Sequence, residues 1–429
     1  MFRKPENKKP PRAFLFWTAL LPEVFSCYDT AMGEETFRNK ITWITFVLSI
    51  LVILTHSLNA ELFLGMQGAG GMEAQVESFF GDKIAQIAVP GFFMVSSFLF
   101  FQNYDPAKTG EKWKRRIHSV LIPYFLWNAL YYFGYVAASR IPFLTDMVGK
   151  GIVVLSPENF LYALLSGTYN AAFWFVYQLI FLIIISPLIY FLIRKKTGWI
   201  IAEGIILFLI AFRADLFPVN GDAMFYYVSA AGMAIHRKDP VREGIPEKAC
   251  SRAGKNAGSG KITENENHAG TGKPMESEKN AYAAENTESE KNRRSGEPAA
   301  VVKPANLAAA FLLAAAASVL YVLYIHFVNP VFVVLCRLFG AAALWYLLSG
   351  ISLSPAKKFM RNSFMIYAMH FALVRMINKT ADLFFHGSGP AALLLYFLMP
   401  VIVIAAVALI ADFGRKYTPK LYAVLSGNR

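Results

Sequence analysis

Long apolar blocks separated by short polar connections dominate this chain. A helix needs about 20 mostly apolar residues to cross a bilayer, at about 1.5 Å of rise per residue. Blocks that can serve this purpose predict ten membrane helices, near residues 41–60, 84–102, 117–139, 172–193, 198–214, 222–236, 304–328, 331–349, 361–379 and 390–413. A further apolar stretch, Phe160–Leu165, is too short to span and predicts a surface or re-entrant helix.

The positions of Lys and Arg test this topology independently. If alternate connections face the cytoplasm, 35 of the 42 Lys and Arg residues fall in cytoplasmic segments. Such an excess of basic residues in the inner connections is what the positive-inside rule describes. We therefore predict an all-α integral membrane protein, a bundle of about ten transmembrane helices with both termini cytoplasmic.

One long polar segment interrupts the series of apolar blocks. Residues 237–303 are rich in Glu, Lys, Asn, Gly and Ala and contain few branched aliphatic residues. Such a segment cannot bury enough apolar surface to offset the entropy of ordering, so we predict a disordered cytoplasmic linker. The predicted organisation is an N-terminal cytoplasmic segment at 1–40, membrane helices at 41–236, the linker at 237–303, membrane helices at 304–413 and a cytoplasmic tail at 414–429.

Composition supports lipid as the main solvent of this chain. Hydrophobic residues make up 55% and charged residues 17%, whereas soluble domains carry about a quarter charged residues. The net charge of +13 indicates a membrane rather than nucleic acid, because the basic residues lie between apolar blocks. Cys27, Cys250 and Cys336 are far apart, so they predict no disulfide framework and no metal site. The apolar stretch Phe14–Leu21 predicts an interfacial helix rather than a signal peptide.

Polar side chains at membrane depth are candidates for function, because hydrocarbon makes them costly. The predicted topology places several of them in the outer half of the bundle and His370 near mid-depth; those in the outer half are His56, Asn59, Trp174, Gln178, His326, Arg337 and Arg375. An imidazole such as that of His56 can accept a proton from a hydroxyl and return it to a leaving group, as acyl transfer to an alcohol requires. An Arg or Asn can stabilise the developing oxyanion.

Each of these residues also has a purely structural interpretation. His56 and His326 can meet water at helix ends. Arg337 and Arg375 can extend to the interface along their aliphatic stems. His370, the deepest of the group, can form an interhelical hydrogen bond. These residues by themselves predict only a membrane protein with an outward-facing polar site.

Five segments carry a resemblance to a known family. They are WITFVLSILVILTHSLN in the first helix, VPGFFMVSSFLFF in the second, KWKRRIHSVLIPYFLWN in the third, FWFVYQLIFLIIISPLI in a middle helix and NSFMIYAMHF in a late one. In this order they resemble the bacterial acyltransferase-3 family of multi-pass membrane O-acyltransferases. The resemblance covers nearly all of the membrane portion and leaves out the linker.

The resemblance implies a fold, a reaction and a location. Members have about ten helices and move an acyl group, commonly acetyl, from a cytoplasmic coenzyme A thioester to hydroxyls of cell-envelope sugars. It implies no bound cofactor, an acyl-CoA donor as substrate, and the bacterial cell membrane as location. It also implies His56 as catalytic base, His370 as a supporting site residue, and Arg115 and Arg116 as ligands of the donor phosphates. Positive-inside topology explains these two arginines equally well.

The chain departs from the family pattern at three places. The family often has Arg eleven residues before the first-helix histidine, where this chain has Thr45. The inner Arg-x-x-Arg motif reads RRIH at 115–118, and the Ser-Gly pair of the second helix is Ser-Ser at 96–97. Replacement of the missing Arg by Arg337 or Arg375 is a hypothesis.

The sequence thus predicts a membrane acyltransferase that O-acylates an envelope glycan or a lipid-linked sugar, with His56 as general base. The alternative is a non-enzymatic transporter or exporter of a lipid-linked saccharide, for which Glu203 is the obvious buried carboxylate. A second alternative is a sensor or scaffold that acts through the linker. We predict the lipid bilayer and the glycan acceptor as partners, and no nucleic acid; nothing in the sequence indicates the oligomeric state.

Overall fold

The computed structural model describes residues 34–149, 151–214, 216–236 and 303–427. Within these ranges the chain is helical, and the described residues form no β-strand. The predicted linker and most of the predicted N-terminal segment lie outside the described residues.

The first half of the chain contributes twelve α-helices within the described ranges. They are α1 Glu34–His56, α2 Ala60–Leu64, α3 Met72–Ser78, α4 Ala88–Phe101, α5 Thr109–Arg116, α6 Ile122–Ala138, α7 Pro142–Val148, α8 Pro157–Ser166, α9 Trp174–Ile184, α10 Ser186–Ile193, α11 Lys196–Ala211 and α12 Gly221–Ile235. Residues 303–427 add α13 Pro304–Phe327, α14 Pro330–Gly350, α15 Ser363–Phe385, α16 Gly389–Tyr417 and α17 Pro419–Leu425.

A helix lies in each of the ten predicted stretches, but fewer pass a stricter test. Within the described residues, six helical stretches are long and apolar enough to cross a membrane, and the bent pair of Pro157–Ser166 with Ala171–Ile184 would be a seventh. Helices α11 and α12 have only 16 and 15 residues, and α15 carries three charged residues in its second half. An all-helical, multi-pass membrane protein is confirmed, whereas the count of ten spans and the cytoplasmic termini stay predictions.

Proline explains the break in the fourth predicted span. Pro187 has no N–H and its ring clashes with the carbonyl of Ile183, so the helix cannot continue through it. The freed Ile183 carbonyl accepts a hydrogen bond from the Trp113 indole N–H at 2.9 Å and another from the Ser186 hydroxyl at 2.7 Å. The break therefore ties α9 and α10 to the polar helix α5.

Helix α1 packs against α4, α14, α15 and α16. In contrast, only 6% of the most apolar stretch of α13 is buried inside the protein, so most of this helix is available to contact lipid. Between α4 and α12, the Ser97 hydroxyl donates to the Tyr227 carbonyl at 2.5 Å. Such interhelical hydrogen bonds hold helices together where the hydrophobic effect contributes little.

Two sets of contacts distinguish the ends of the bundle. At one end, the Trp127 indole N–H donates to the Leu425 carbonyl at 3.0 Å, and Gly427 lies against the Ser119 carbonyl. At the other end, the Gly387 N–H donates to the Phe63 carbonyl at 2.7 Å. The first end gathers segments that the sequence predicts to be cytoplasmic, and the second gathers predicted outer segments. We refer to them as the inner and the outer end.

Candidate functional site

The last residue of α1 is His56, and the helix ends there for a structural reason. Residues 57–59 are not helical, and the N–H groups of Asn59 and Ala60 donate to the Glu77 carboxylate at 2.9 and 3.0 Å. These two bonds satisfy donors that a continuing helix would have satisfied with its own carbonyls. The half-buried His56 side chain is therefore the last side chain on a rigid helix.

His370 of α15 lies next to His56. The two imidazole centroids are 5.2 Å apart, with the ring planes inclined by 43°. His370 is fully buried, and its Nδ1 lies 2.7 Å from the Tyr367 carbonyl. A carbonyl can only accept, so Nδ1 carries the proton and Nε2 presents a lone pair. That buried Nε2 has no hydrogen-bond partner among the described residues.

Tyr367 connects this histidine pair to the start of α9. Its hydroxyl donates to the Ala172 carbonyl, and its ring stacks on Phe173 with a centroid distance of 5.6 Å and an interplanar angle of 8°. A tyrosine held at both its hydroxyl and its ring fixes the turn of α15 that carries His370. The imidazole of His370 is therefore oriented by packing as well as by its own hydrogen bond.

A group of buried polar side chains surrounds the turn that follows His56. Asn59 donates from Nδ2 to Asn378 Oδ1 at 3.4 Å, and Asn378 donates from Nδ2 to the Ser57 carbonyl at 3.4 Å. Together with Glu77 they form what we call the outer clasp, consisting of Ser57, Asn59, Glu77 and Asn378. The clasp joins the end of α1 to the helix that carries His370, so both imidazoles are positioned by one network.

Of the two membrane arginines predicted from the sequence, Arg375 is close to the pair. Its guanidinium lies 5.9 Å from the Phe371 ring centroid, and the Phe371 ring meets the His56 ring edge-on at 5.5 Å. One aromatic ring therefore separates Arg375 from His56. Arg337 instead donates to Gln86 Oε1 at 3.4 Å, and no hydrogen bond or ring contact in the described chain connects it with either histidine.

The remaining predicted residues of the outer half have other surroundings. Gln178 is buried and its Oε1 accepts the Asn220 N–H at 3.1 Å, which supports the start of α12. Trp174 is 43% exposed, and the ring contacts that this stretch makes with Tyr367 come from its neighbours Phe173 and Phe175. Thr45 bonds to the Ile41 carbonyl of its own helix at 2.9 Å. Gln178, Trp174 and Thr45 therefore lie outside the histidine pair and the clasp.

The inner end holds a separate basic cavity of about 820 Å³. Its basic lining residues, which define what we call the basic pocket, are Lys108, Lys112, Lys114, Arg115, Arg116 and His118. Asp105 and Glu111 are the acidic residues in its described lining. A cavity of this volume is within the range of small-molecule and cofactor sites, and its charge suits a multiply anionic ligand.

The two predicted arginines occupy different places in the basic pocket. Arg115 is exposed, with its guanidinium 3.7 Å from the Glu111 carboxylate. Arg116 is partly buried, and its guanidinium lies 5.8 Å from the Phe100 ring centroid. The Lys112 ammonium donates to the Phe100 and Gln102 carbonyls at 2.6 and 3.2 Å, so it supports the end of α4. Arg116 is thus the best placed of these cations to act deep in the pocket.

A comparison with protein families shows which family this chain belongs to. The model of the acyltransferase-3 family, described as an acyltransferase domain, matches residues 38–411. The chain belongs to this family. The match includes the histidine pair, the clasp and the basic pocket apart from its edge at Gly427. Neither a curated protein nor a solved structure matches the chain.

Membership establishes an acyltransferase, and the geometry shows what its outer site can do. A half-buried imidazole lies beside a buried one, and both can accept protons. Among the described residues, no carboxylate forms a hydrogen bond or a ring contact with either histidine. Among the described residues, no group of three or more His, Cys, Asp or Glu could hold a metal ion. The two imidazoles are suited to acid–base chemistry.

The sequence did not indicate several residues of this site. Glu77 lies in a polar outer segment and Asn378 in the charged second half of α15, where solvent exposure is the simpler expectation. Phe371 looks like an ordinary apolar-face residue of a membrane helix, and Tyr367 belongs to the segment NSFMIYAMHF, whose pattern does not indicate which groups its side chain contacts. A buried carboxylate 18 residues after Asn59 has no periodic signal, because the contact depends on how the loop folds back.

Proposed function

We propose that this acyltransferase moves an acyl group, with acetyl as the expected case, from a coenzyme A thioester to a hydroxyl of a cell-envelope glycan or a lipid-linked sugar in the bacterial cell membrane. The observation that carries the proposal is the histidine pair at the outer end of α1, at 5.2 Å between ring centroids, in a chain of this family. A basic pocket at the opposite end supports a donor that enters from the cytoplasm.

In the proposed reaction His56 is the general base. Its imidazole takes the hydroxyl proton as the oxygen attacks the thioester carbonyl, and a tetrahedral intermediate forms. When the carbon–sulfur bond breaks, the imidazolium returns the proton to the leaving thiolate, so His56 is restored. His370 does not need to titrate in this scheme. Its Nε2 lone pair beside His56 can stabilise the imidazolium, as a buried acceptor does for a catalytic histidine.

The developing oxyanion needs donors or positive charge nearby. Arg375 is the closest cation to the pair by the contacts described, one aromatic ring away from His56. Asn59, three residues after His56, is held by the clasp with its amide group directed at Asn378. We assign the electrostatic role to Arg375 and a positioning role to Asn59.

The transport alternative has no specific support in the described chain. Glu203, its best candidate for proton coupling, accepts hydrogen bonds from the Ser229 hydroxyl at 2.8 Å and the Trp199 indole at 3.2 Å. These contacts tie α11 to α12 without linking Glu203 to the histidine pair. A scaffold role through the linker concerns residues outside those described.

The reaction can be tested on the product. Envelope glycans and lipid-linked sugars from cells with and without the protein are compared by mass spectrometry, and the expected difference is a mass increase of one acyl group on a single species. Purified protein in nanodiscs with labelled acetyl-CoA and that species should then transfer the label. If the protein is expressed and the two strains still have the same glycan profile, the proposal is contradicted.

Arg116 should contribute to donor binding rather than to chemistry. We expect Arg116→Gln to raise the KM for acetyl-CoA about tenfold, the effect of losing one charge-assisted hydrogen bond to a phosphate, and to leave kcat within about twofold. The measurement is initial-rate kinetics at varied acetyl-CoA.

Arg194→Gln is the matched control for this prediction. Arg194 also lies in a basic inner connection, but its guanidinium rests on the Phe191 ring at 4.7 Å and it is not part of the pocket lining. If both variants change KM equally, general inner-surface charge and not the basic pocket attracts the donor. An unchanged KM in Arg116→Gln would remove this residue from the donor site.

A further inference from the structure

The chain leaves the helical conformation for residues 167–170, between α8 and α9. We call this connection the α8–α9 break. The helical stretches on its two sides, Pro157–Ser166 and Ala171–Ile184, are bent by 50° relative to each other. Gly167 begins the break with a φ of +64°, a left-handed conformation that glycine adopts without strain. Non-helical backbone within an apolar span is tolerated where it is buried in protein or lines a polar site.

Side chains of α6 satisfy the end of α8. The Asn128 amide donates to the Leu164 carbonyl at 3.3 Å, and the Tyr124 hydroxyl donates to the Leu165 carbonyl at 3.0 Å. The last carbonyls of a helix have no partner within the helix and need such donors when they are buried. These contacts place the α8–α9 break beside the first two turns of α6, where Trp127 belongs to the inner end.

The start of α9 is not satisfied in the same way. Asn170 precedes it at the N-cap position, where an asparagine side chain normally accepts a hydrogen bond from an N–H of the first helical turn. The Asn170 side chain makes no such bond. It is 1% exposed, and neither Nδ2 nor Oδ1 has a hydrogen-bond partner in the described chain. A buried carboxamide with both polar atoms unpaired is costly, so it indicates a ligand that carries polar groups of its own.

Other oxygen atoms converge at the α8–α9 break. A Cβ added to Gly167 would lie 3.6 Å from the Asn170 carbonyl oxygen, 3.7 Å from the Tyr124 hydroxyl and 3.8 Å from Asn128 Oδ1. The surroundings of the break are therefore polar, although the helices on both sides of it are apolar.

The α8–α9 break adjoins the helix that carries His370. The carbonyl of Ala172, two residues after Asn170, accepts a hydrogen bond from the Tyr367 hydroxyl. The Tyr367 ring in turn lies 5.8 Å from the His370 ring, measured between centroids. A group bound at the break would therefore lie next to the histidine pair.

The break also lies within reach of the basic pocket. Arg116 and Tyr124 belong to one helical stretch, Pro106–Ala138, and the eight residues between them correspond to about 12 Å. The pantetheine arm of coenzyme A carries two amide groups between its phosphates and its sulfur. Its backbone is as long as about four extended residues, about 14 Å. A donor with its phosphates in the basic pocket can therefore place an amide group at the break and its sulfur nearer the histidine pair.

We propose that Asn170 binds the amide groups of the donor's pantetheine arm. A carboxamide offers both a donor and an acceptor, which match the N–H and C=O groups of the arm, whereas an anion would use only the donor. Sugar hydroxyls have both functions too, but the acceptor is expected at the outer end and the break lies beside the inner turns of α6. The assignment rests on the proposed function and deepens it, because it makes the broken helix the part of the site that recognises the arm.

The test measures donor binding without turnover. Unaltered protein and Asn170→Leu are placed in nanodiscs, and the Kd is measured for radiolabelled acetyl-CoA and for adenosine 3′,5′-bisphosphate, a nucleotide without the arm. We expect Asn170→Leu to bind acetyl-CoA about tenfold more weakly, because two neutral hydrogen bonds are lost, and to bind the bisphosphate equally well. Arg116→Gln should weaken the binding of both ligands.

Asn220→Leu is the matched control. Asn220 also occupies an N-cap position, before α12, and its side chain makes no cap bond, but it is exposed. Its replacement should leave the Kd for acetyl-CoA unchanged. Melting curves separate ligand binding from a structural role of Asn170. Without ligand, Asn170→Leu should melt no lower than the unaltered protein, because leucine removes two buried unpaired groups, and the same concentration of acetyl-CoA should raise its Tm less.

Several results would overturn the assignment. Equal weakening of acetyl-CoA and the bisphosphate in Asn170→Leu would indicate general damage to the inner end. A lower Tm without ligand and an unchanged Kd would indicate a side chain that holds only a buried water. An unchanged Kd with a raised KM for the glycan would assign the break to the acceptor. Acetyl-CoA binding that depends on Arg116 but not on Asn170 would defeat this assignment alone, whereas no acetyl-CoA binding to the unaltered protein would defeat the proposed donor as well.

Discussion

Replacing His56 with alanine should lower the rate of acyl transfer by about 10²- to 10⁴-fold, the usual contribution of a general base. The reason is that the His56 imidazole is only half-buried, whereas the Glu77 carboxylate near it in the chain fold is buried and held by two N–H groups. We expect His370 not to substitute, because its ring is fully buried and a positive charge on a buried imidazole is costly. The KM for acetyl-CoA should change little, since the basic pocket is at the other end of the bundle.

The measurement is transfer of labelled acetyl in nanodiscs, normalised to protein abundance. His56→Gln should be nearly as inactive as His56→Ala, because an amide fills similar space but cannot carry the proton. His326→Ala is the matched control: it also removes a histidine from the outer end of an apolar helix, but that ring is exposed and contacts Phe327. Transfer at the normal rate in His56→Ala would exclude this residue as the base.

A double substitution separates two explanations of the pair. If His370 acts through His56, the variant with both residues changed to alanine should be no slower than His56→Ala alone, since residues that act as a unit have non-additive effects. Multiplicative losses would instead indicate that each imidazole contributes independently. This comparison tests the supporting role that the resemblance implied for His370.

The sequence predicted the helical segments well because membrane helices require long apolar runs, which are visible in the sequence. It predicted their ends less well. The first span was expected at 41–60, whereas α1 begins at Glu34 and stops at His56. At its start, α1 includes polar turns that hydropathy does not predict to be helical. At its end, α1 stops early because the Glu77 carboxylate of the following segment accepts the Asn59 N–H. Helix termination by a distant side chain has no local signal.

Half of the candidate site was also predictable. His56 and His370 are ionisable residues in apolar helices, which makes them candidates without any structure, and the structure brings them together. Gln178 and Trp174 are polar but not ionisable, and their predicted depth made them candidates too. They lie outside the pair and the clasp, because depth in the membrane does not specify which face of a helix a residue occupies. Asn378 is separated from its partner Asn59 by more than 300 residues, a contact that only the packing of α15 against α1 creates.

Glu77→Ala should reduce kcat by about 10- to 100-fold although Glu77 touches neither histidine, because a small displacement of a catalytic group is enough to cause such a loss. Glu77 is 2% exposed and accepts the N–H groups of Asn59 and Ala60. Alanine would leave both donors buried without an acceptor, at a cost of about 1–3 kcal/mol each. The turn at 57–59 would then rearrange, and the His56 ring would move relative to His370.

Glu77→Gln separates hydrogen bonding from charge. The bonded oxygen, Oε2, accepts both N–H groups while Oε1 has no partner in the described chain, so an amide oxygen can take over the work of Oε2. We expect Glu77→Gln to retain at least about a third of the activity and Glu77→Ala to lose it, with kcat rather than the KM for acetyl-CoA carrying the difference. Glu61→Ala, which removes an exposed carboxylate from the same outer segment, should behave like the unaltered protein.

Stability must be read separately from activity, because loss of the clasp also weakens the packing of α1 against α15. Fluorescence-detected size-exclusion chromatography after heating should show a lower Tm for Glu77→Ala, yet kinetics below that Tm should still show the slower kcat. If Glu77→Gln is stable but as inactive as Glu77→Ala, the reaction requires the negative charge of Glu77 and not its hydrogen bonds to the turn. That result would contradict the role of the clasp in positioning His56.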